Sequence, residues 1–152
     1  MMNATRLATC TGSDPQKVRN LLPQIVSVMR AYEINTPERQ AAFLALVLDA
    51  DGAIVNLQGR VNLVNLTVRL RAKFSDLAVP DFSADPGKLL VPVWAARAAA
   101  DLWAQKSLNR AADVGDMNRC HREIKGAAAK GLAERVSLCE RGKRELMEHK
   151  RA

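Results

Sequence analysis

Apolar residues recur at intervals of three and four over most of the chain. Val18, Leu21, Leu22, Ile25, Val26 and Met29 share one helical face. Ser13-Asp14-Pro15 marks the start: a capping side chain, then a proline where a missing N–H costs nothing. Pro23, inside the run, predicts a break or a restart. Thr36-Pro37-Glu38 repeats the start signal, with Thr36 as cap and Glu38 facing the positive end of the helix dipole. The stretch Ala41 to Leu48 is apolar all round, which predicts a central, buried helix. Asp51-Gly52 ends it with turn chemistry. Residues 1–12 read as a flexible arm, and residues 13–152 as one helical domain.

Ile54 to Lys73 carries two signals. Val61, Val64 and Val68 fit a helix, while Leu66 to Arg71 alternates like a strand. No second strand of matching alternation is present, so the stretch is expected to be helical. Pro80 to Pro86 is a loop, and residues 88–106 an alanine-rich helix with Trp94 and Trp103, its true start at Pro92. Asp113 to Asp116 is a turn. Asn118 to Lys125 is a short helix, and Leu132 to Lys150 is the last one, burying Leu132, Val136, Cys139 and Leu146. The expected fold class is all-α, without repeats or low-complexity tracts.

Composition narrows the function. Of 152 residues, 48% are hydrophobic, enough for a core and too many for general disorder. The longest uncharged run, Asn20 to Met29, falls well short of the ~20 residues of a membrane span. Met1 to Arg6 shows no signal-peptide pattern, so the cytoplasm is the expected compartment. Only 4% is aromatic, which argues against a stacking platform for single strands. Cys10, Cys120 and Cys139 form no C-x-x-C pair, and His121 and His149 are too few for a metal site, so no metal and no cofactor is expected. Cys139 reads as a buried thiol and both histidines as surface residues. No phosphate loop, dinucleotide fingerprint or nucleophile elbow is present.

Five segments in order resemble the family 19 glycoside hydrolases, in the single-domain form of phage endolysins and chitinase-like lysozymes, over roughly residues 20–148. Thr36-Pro37 to Ala45, with Arg39, is similar to T-P-x-R-x-A-A-F-L-A. Ile54 to Leu63 is similar to L-I-Q-L-T-G-R-A-N-Y, keeping Gly59, Arg60 and Asn62. Asp85-Pro86 to Trp103, Leu108-Asn109 with Asp113 to Asp116, and Gly131 to Arg141 resemble the family's later helix, turn and tail. The resemblance implies a lysozyme-like helical domain, phage- or prophage-encoded, working in a bacterial host.

The departures concern the chemistry. The family's A-H-E-S-G follows its first segment, and its glutamate is the general acid; here Leu48-Asp49-Ala50-Asp51-Gly52 stands there, with Ala50 at the glutamate position. The lobe carrying the second carboxylate is absent, since Gly52-Ala53 leads directly into Ile54. The family's glycan-contacting glutamine falls on Asn56, its tyrosine on Leu63 and the asparagine of its I-N-G-G on Lys125. Inverting hydrolysis needs two facing carboxyl groups, about 6.5–9.5 Å apart, one of them kept protonated. Asp49 and Asp51 flank the lost position but read as aspartates facing water. The expectation is a catalytically inactive pseudoenzyme that binds a protein partner, as a regulator of lysis or an inhibitor of a host factor or defence complex.

Ile54, Val55, Leu57 and Leu63, beside the shortened connection, are the expected apolar patch for that partner. The alternatives are peptidoglycan or chitin binding through Asn56, Arg60, Asn62 and Trp103, residual hydrolysis through Asp49 or Asp51, and nucleic-acid binding by basic residues. The formal charge is +7. Arg69, Arg71 and Lys73 form one basic group with Arg60; Arg119, Arg122, Lys125 and Lys130 form a second.

Overall fold

Helix α1 (Ala4–Thr11) occupies most of the segment read as a flexible arm. Asn3 accepts the Arg6 amide at its start, and Gly12, left-handed at φ 69°, closes it on the Ala8 carbonyl. Eight residues are too few to be stable alone. Leu7 and Cys10, both fully buried, hold α1 against the rest of the protein instead. The computed structural model describes residues 2–151, with side chains through Glu148.

Asp14 caps α2 (Pro15–Val18) by accepting the Gln16 amide. A 3-10 turn, Arg19–Leu21, then restarts the chain as α3 (Leu22–Ala31), with Pro23 in its first turn as expected. Thr36 caps α4 (Pro37–Val47) by accepting the Arg39 amide at 3.2 Å. The ambiguous stretch divides: only α5 (Leu63–Lys73) is helical. Residues 54–61 form a loop in which Ile54 makes a single antiparallel bridge with Leu48. Asn56, Gly59 at φ 74° and the capping Asn62 supply turn chemistry that outweighs the helical spacing of the valines.

A 3-10 turn, Pro86–Leu90, precedes α6 (Pro92–Gln105), which starts at the expected proline. Helices α7 (Leu108–Asp113), α8 (Met117–Lys125) and α9 (Leu132–Arg151) complete the chain. Among the described residues the fold is all-α, and no helix is long and apolar enough to cross a membrane.

Every residue from Ala41 to Leu48 is buried. Helices α1, α7, α8 and α9 pack around α4, and α3, α5 and α7 pack on α6. Trp103 of α6 is fully buried, edge-on to Phe43 at 5.3 Å, and its indole N–H donates to Asn109 at 2.9 Å. Asn109 in turn donates to the Tyr32 and Glu33 carbonyls. Arg39 clamps Asp113 with two 2.9 Å hydrogen bonds, tying the start of α4 to the end of α7. On the last helix Cys139 and Leu146 are buried as expected, while Leu132 and Val136 are half-buried.

Helix α1 comes close to α9 at Gly142. A Cβ there would lie 2.9 Å from Cys10 Sγ and 3.2 Å from Cys10 Cα, so α1 lies directly on the bare backbone of α9. Alanine favours a helix interior over glycine by about 1 kcal/mol, but forced overpacking costs about 1–3 kcal/mol. Gly142→Ala should therefore destabilise the protein by about 1–2 kcal/mol in urea unfolding. The loss should shrink in a Cys10→Ala background; a stabilised Gly142→Ala variant would contradict this packing.

Candidate functional site

The chain turns back immediately after α4. Asp49 N–H donates to the Ala53 carbonyl at 2.8 Å, Gly52 N–H to the Asp49 carbonyl at 2.9 Å, and Val55 N–H to the Val47 carbonyl at 2.8 Å. Gly52 is left-handed at φ 86°, and a Cβ there would meet the Lys17 carbonyl at 2.7 Å. The turn therefore needs glycine twice over, for its backbone angle and for its fit against α2. Ser13 Oγ donates to the Asp49 carbonyl at 3.2 Å and fixes the turn from the other side. Ala50 is exposed at its tip.

Asp49 does not simply face water. Its Oδ1 takes Lys125 Nζ and Arg135 Nη2, each at 3.0 Å. The two partners lie far along the chain, which is why a local reading left the carboxylate free. Arg135 also donates through Nη1 to the Ala45 and Leu48 carbonyls at 2.8 and 3.2 Å, satisfying the open end of α4. Burial pushes the Asp49 carboxyl up, but the hydrogen bonds and charges of Lys125 and Arg135 outweigh it and hold it below the ordinary 3.8. A general acid requires the opposite shift. Asp51 is exposed and accepts the Ala53 amide at 3.1 Å, completing the turn. The two aspartates carry backbone and ion-pair duties.

The expected apolar patch is largely core. Val55 and Leu57 are buried, and Ile54 and Leu63 are half-buried against the core. The loop after Ile54 runs inward, so its alternate side chains fill the interior rather than the surface. What stays open is a cleft of about 190 Å³ between this loop and the start of α6, lined by Leu21, Ala53, Ile54, Leu89, Leu90 and Pro92. Leu90, 62% exposed, stands at its rim, followed by Val91 at 40%. Neither residue was marked by the sequence pattern, because the 3-10 turn that presents them breaks the helical period.

The expected glycan residues have structural partners. Asn56 accepts the Gln58 amide and Asn62 the Asn65 amide, each at 2.9 Å. Arg60 donates to the Ile124 and Glu123 carbonyls and caps the end of α8. Trp103 is inside the core.

The basic residues scatter as well. Arg69 pairs with Asp101, Arg71 reaches the Val79 carbonyl, and Arg119 the Lys106 carbonyl at 2.8 Å. Lys73 lies 4.7 Å over the Tyr32 ring. Lys125 is taken by Asp49, while Arg122 and Lys130 are exposed. His121 is buried, 4% exposed, with Nε2 3.3 Å from the Lys130 carbonyl; it belongs to the inner face of α8 with Cys120 and Ile124, not to the surface. His149 lies outside the residues whose side chains are described. Among the described residues no cluster of three or more His, Cys, Asp or Glu is placed to hold a metal ion.

Comparison with protein-family models, with curated proteins and with solved structures finds no match to this chain.

The ion-pair cluster makes a pH-dependent prediction. A carboxyl held below its ordinary value contributes stability that is complete above about 4 and lost as pH falls through the lower folded value. Asp49→Asn leaves Lys125 and Arg135 without their anion. The cost at pH 7 should lie between surface and buried pairs, about 1–2 kcal/mol in urea unfolding. The gap between wild type and variant should narrow as pH falls below about 4; a gap constant from pH 7 to pH 2 would refute the pairing.

Proposed function

We propose that the protein is a non-hydrolytic, lysozyme-like helical scaffold that acts by binding a protein partner at the cleft between Ile54 and Leu90. The observation that carries this reading is the pairing of a small apolar cleft with exposed Leu90 and Val91, beside a turn whose aspartate is neutralised by two cations. At about 190 Å³ the cleft is below the roughly 300–1,000 Å³ of small-molecule sites. It accepts one bulky apolar side chain from a partner surface, the usual form of a binding anchor. Its lining residues carry no polar side chains, whereas sugar hydroxyls demand convergent donors and acceptors. On the resemblance to phage endolysins, the setting is the cytoplasm of a bacterial host, and the role is regulation of lysis or inhibition of a host factor.

Leu90 is exposed, so Leu90→Asp should leave the circular dichroism spectrum and the unfolding midpoint unchanged. The immobilised wild type should retain a protein from bacterial lysate that the Leu90→Asp variant loses, a drop of about tenfold or more. Purified peptidoglycan incubated with the protein should release no reducing ends. Release of reducing ends, or equal retention by wild type and variant, would overturn the proposal; peptidoglycan binding unaffected by Leu90→Asp would favour the glycan alternative.

A further inference from the structure

A second cavity, of about 370 Å³, opens where α5 and α6 meet the end of α3. It is within the size range of small-molecule sites. Its walls combine apolar surface, from Ala72, Ala104 and the Tyr32 ring, with four polar side chains: Arg69, Lys73, Asp101 and Gln105.

The charges are arranged asymmetrically. The Asp101 side chain is only 6% exposed, yet it lines the cavity. Arg69 binds it through Nε at 2.9 Å and Nη2 at 2.8 Å, and both contacts fall on Oδ2. Oδ1 takes no hydrogen bond among the described residues. A carboxylate with one oxygen held by Arg69 and the other without a donor is an anchor for an incoming N–H. On the other side, Lys73 sits over the Tyr32 ring with no carboxylate partner among the described residues. Arg69 and Lys73 against Asp101 leave the cavity one positive charge in excess. The Tyr32 hydroxyl is buried without a hydrogen-bond partner.

The cavity thus presents a free acceptor on a fixed anion and, nearby, a cation, Lys73, without a carboxylate partner among the described residues. We propose that it is a binding site for a small zwitterion of the α-amino acid type. The ligand's ammonium donates to Asp101 Oδ1, and its carboxylate lies between Lys73 Nζ and the Arg69 guanidinium. Ala72, Ala104 and the Tyr32 ring cover its side chain. Charge-assisted bonds at both ends fix the orientation. A simple anion would leave Asp101 Oδ1 unmet, and a simple amine would leave Lys73 unmet. The site is independent of the cleft at Leu90.

The test is a titration of the full chain, followed by backbone amide resonances, with glycine, L-leucine, L-phenylalanine and L-glutamate. Their N-acetyl and α-amide forms serve as matched controls. At least one free amino acid should shift the Ala72, Ala104 and Gln105 amides saturably at millimolar concentration. Blocking either end should weaken binding about tenfold or more. Lys73→Ala, an exposed substitution that leaves the fold intact, should weaken it to the same degree, and Asp101→Asn at least as much. The proposal fails if no free amino acid gives saturable shifts at these amides, if blocked forms bind as well as free ones, or if Lys73→Ala binds like wild type.

Discussion

A helix that is apolar on every side cannot sit at a surface. Ala41 to Leu48 has no exposed member, so α4 must be walled in from all directions. That requirement organises the molecule. It draws α1, α7, α8 and α9 inward around one axis. It also creates a problem at each end, because the terminal backbone groups of a buried helix still need partners. Thr36 satisfies the start, while Arg39 ties it to α7. Arg135 satisfies the end by reaching across from α9 to the Ala45 and Leu48 carbonyls. A guanidinium brought that far inside needs an anion, and Asp49 is the carboxylate within reach. The ion-pair cluster at the turn is thus a consequence of burying α4.

This dependence explains what could be read in advance. The starts of α2, α4 and α6 are local events, a capping side chain or a proline in the first turn, and the sequence displays them. The central position of α4 follows from its composition alone. The failures are non-local. Helix α1 is too short for its period to declare itself, and it is held by contact with α9, more than a hundred residues away. Asp49 looked free because Lys125 and Arg135 are 76 and 86 residues distant. Val55 and Leu57 looked exposed because a missing lobe was expected to uncover them, whereas the chain folds them into the space behind α4. Many basic residues that suggested a binding surface are tied to carboxylates or carbonyls. In a protein this helical, arginine closes helix ends at a distance, and charge counting cannot separate that duty from recognition.

The two openings proposed as binding sites are both built on α6. Pro92 and Ala95 border the apolar cleft, and Asp101, Ala104 and Gln105 border the polar cavity. Between Ala95 and Asp101 lie about 9 Å of helix axis. Trp94 to Trp103 is buried throughout, so this rod is held on nearly every side. A site assembled on such an element keeps its geometry better than one assembled on a loop. The two openings differ in character because α6 meets different neighbours at its two ends, a 3-10 turn and the loop at Ile54 at the first, the basic helix α5 at the second.

The three thiols have a bearing on how this protein can be handled. Cys10, Cys120 and Cys139 are unpaired and buried, and burial pushes them up to about 12, 12 and 11 respectively. The thiolate is the reactive form, and at neutral pH the folded chain offers almost none of it. A cysteine introduced anywhere on the surface would then be the sole residue that a maleimide modifies while the chain stays folded. Dyes, spin labels or cross-linkers can be placed one face at a time on the native sequence, with no need to strip out its own cysteines first.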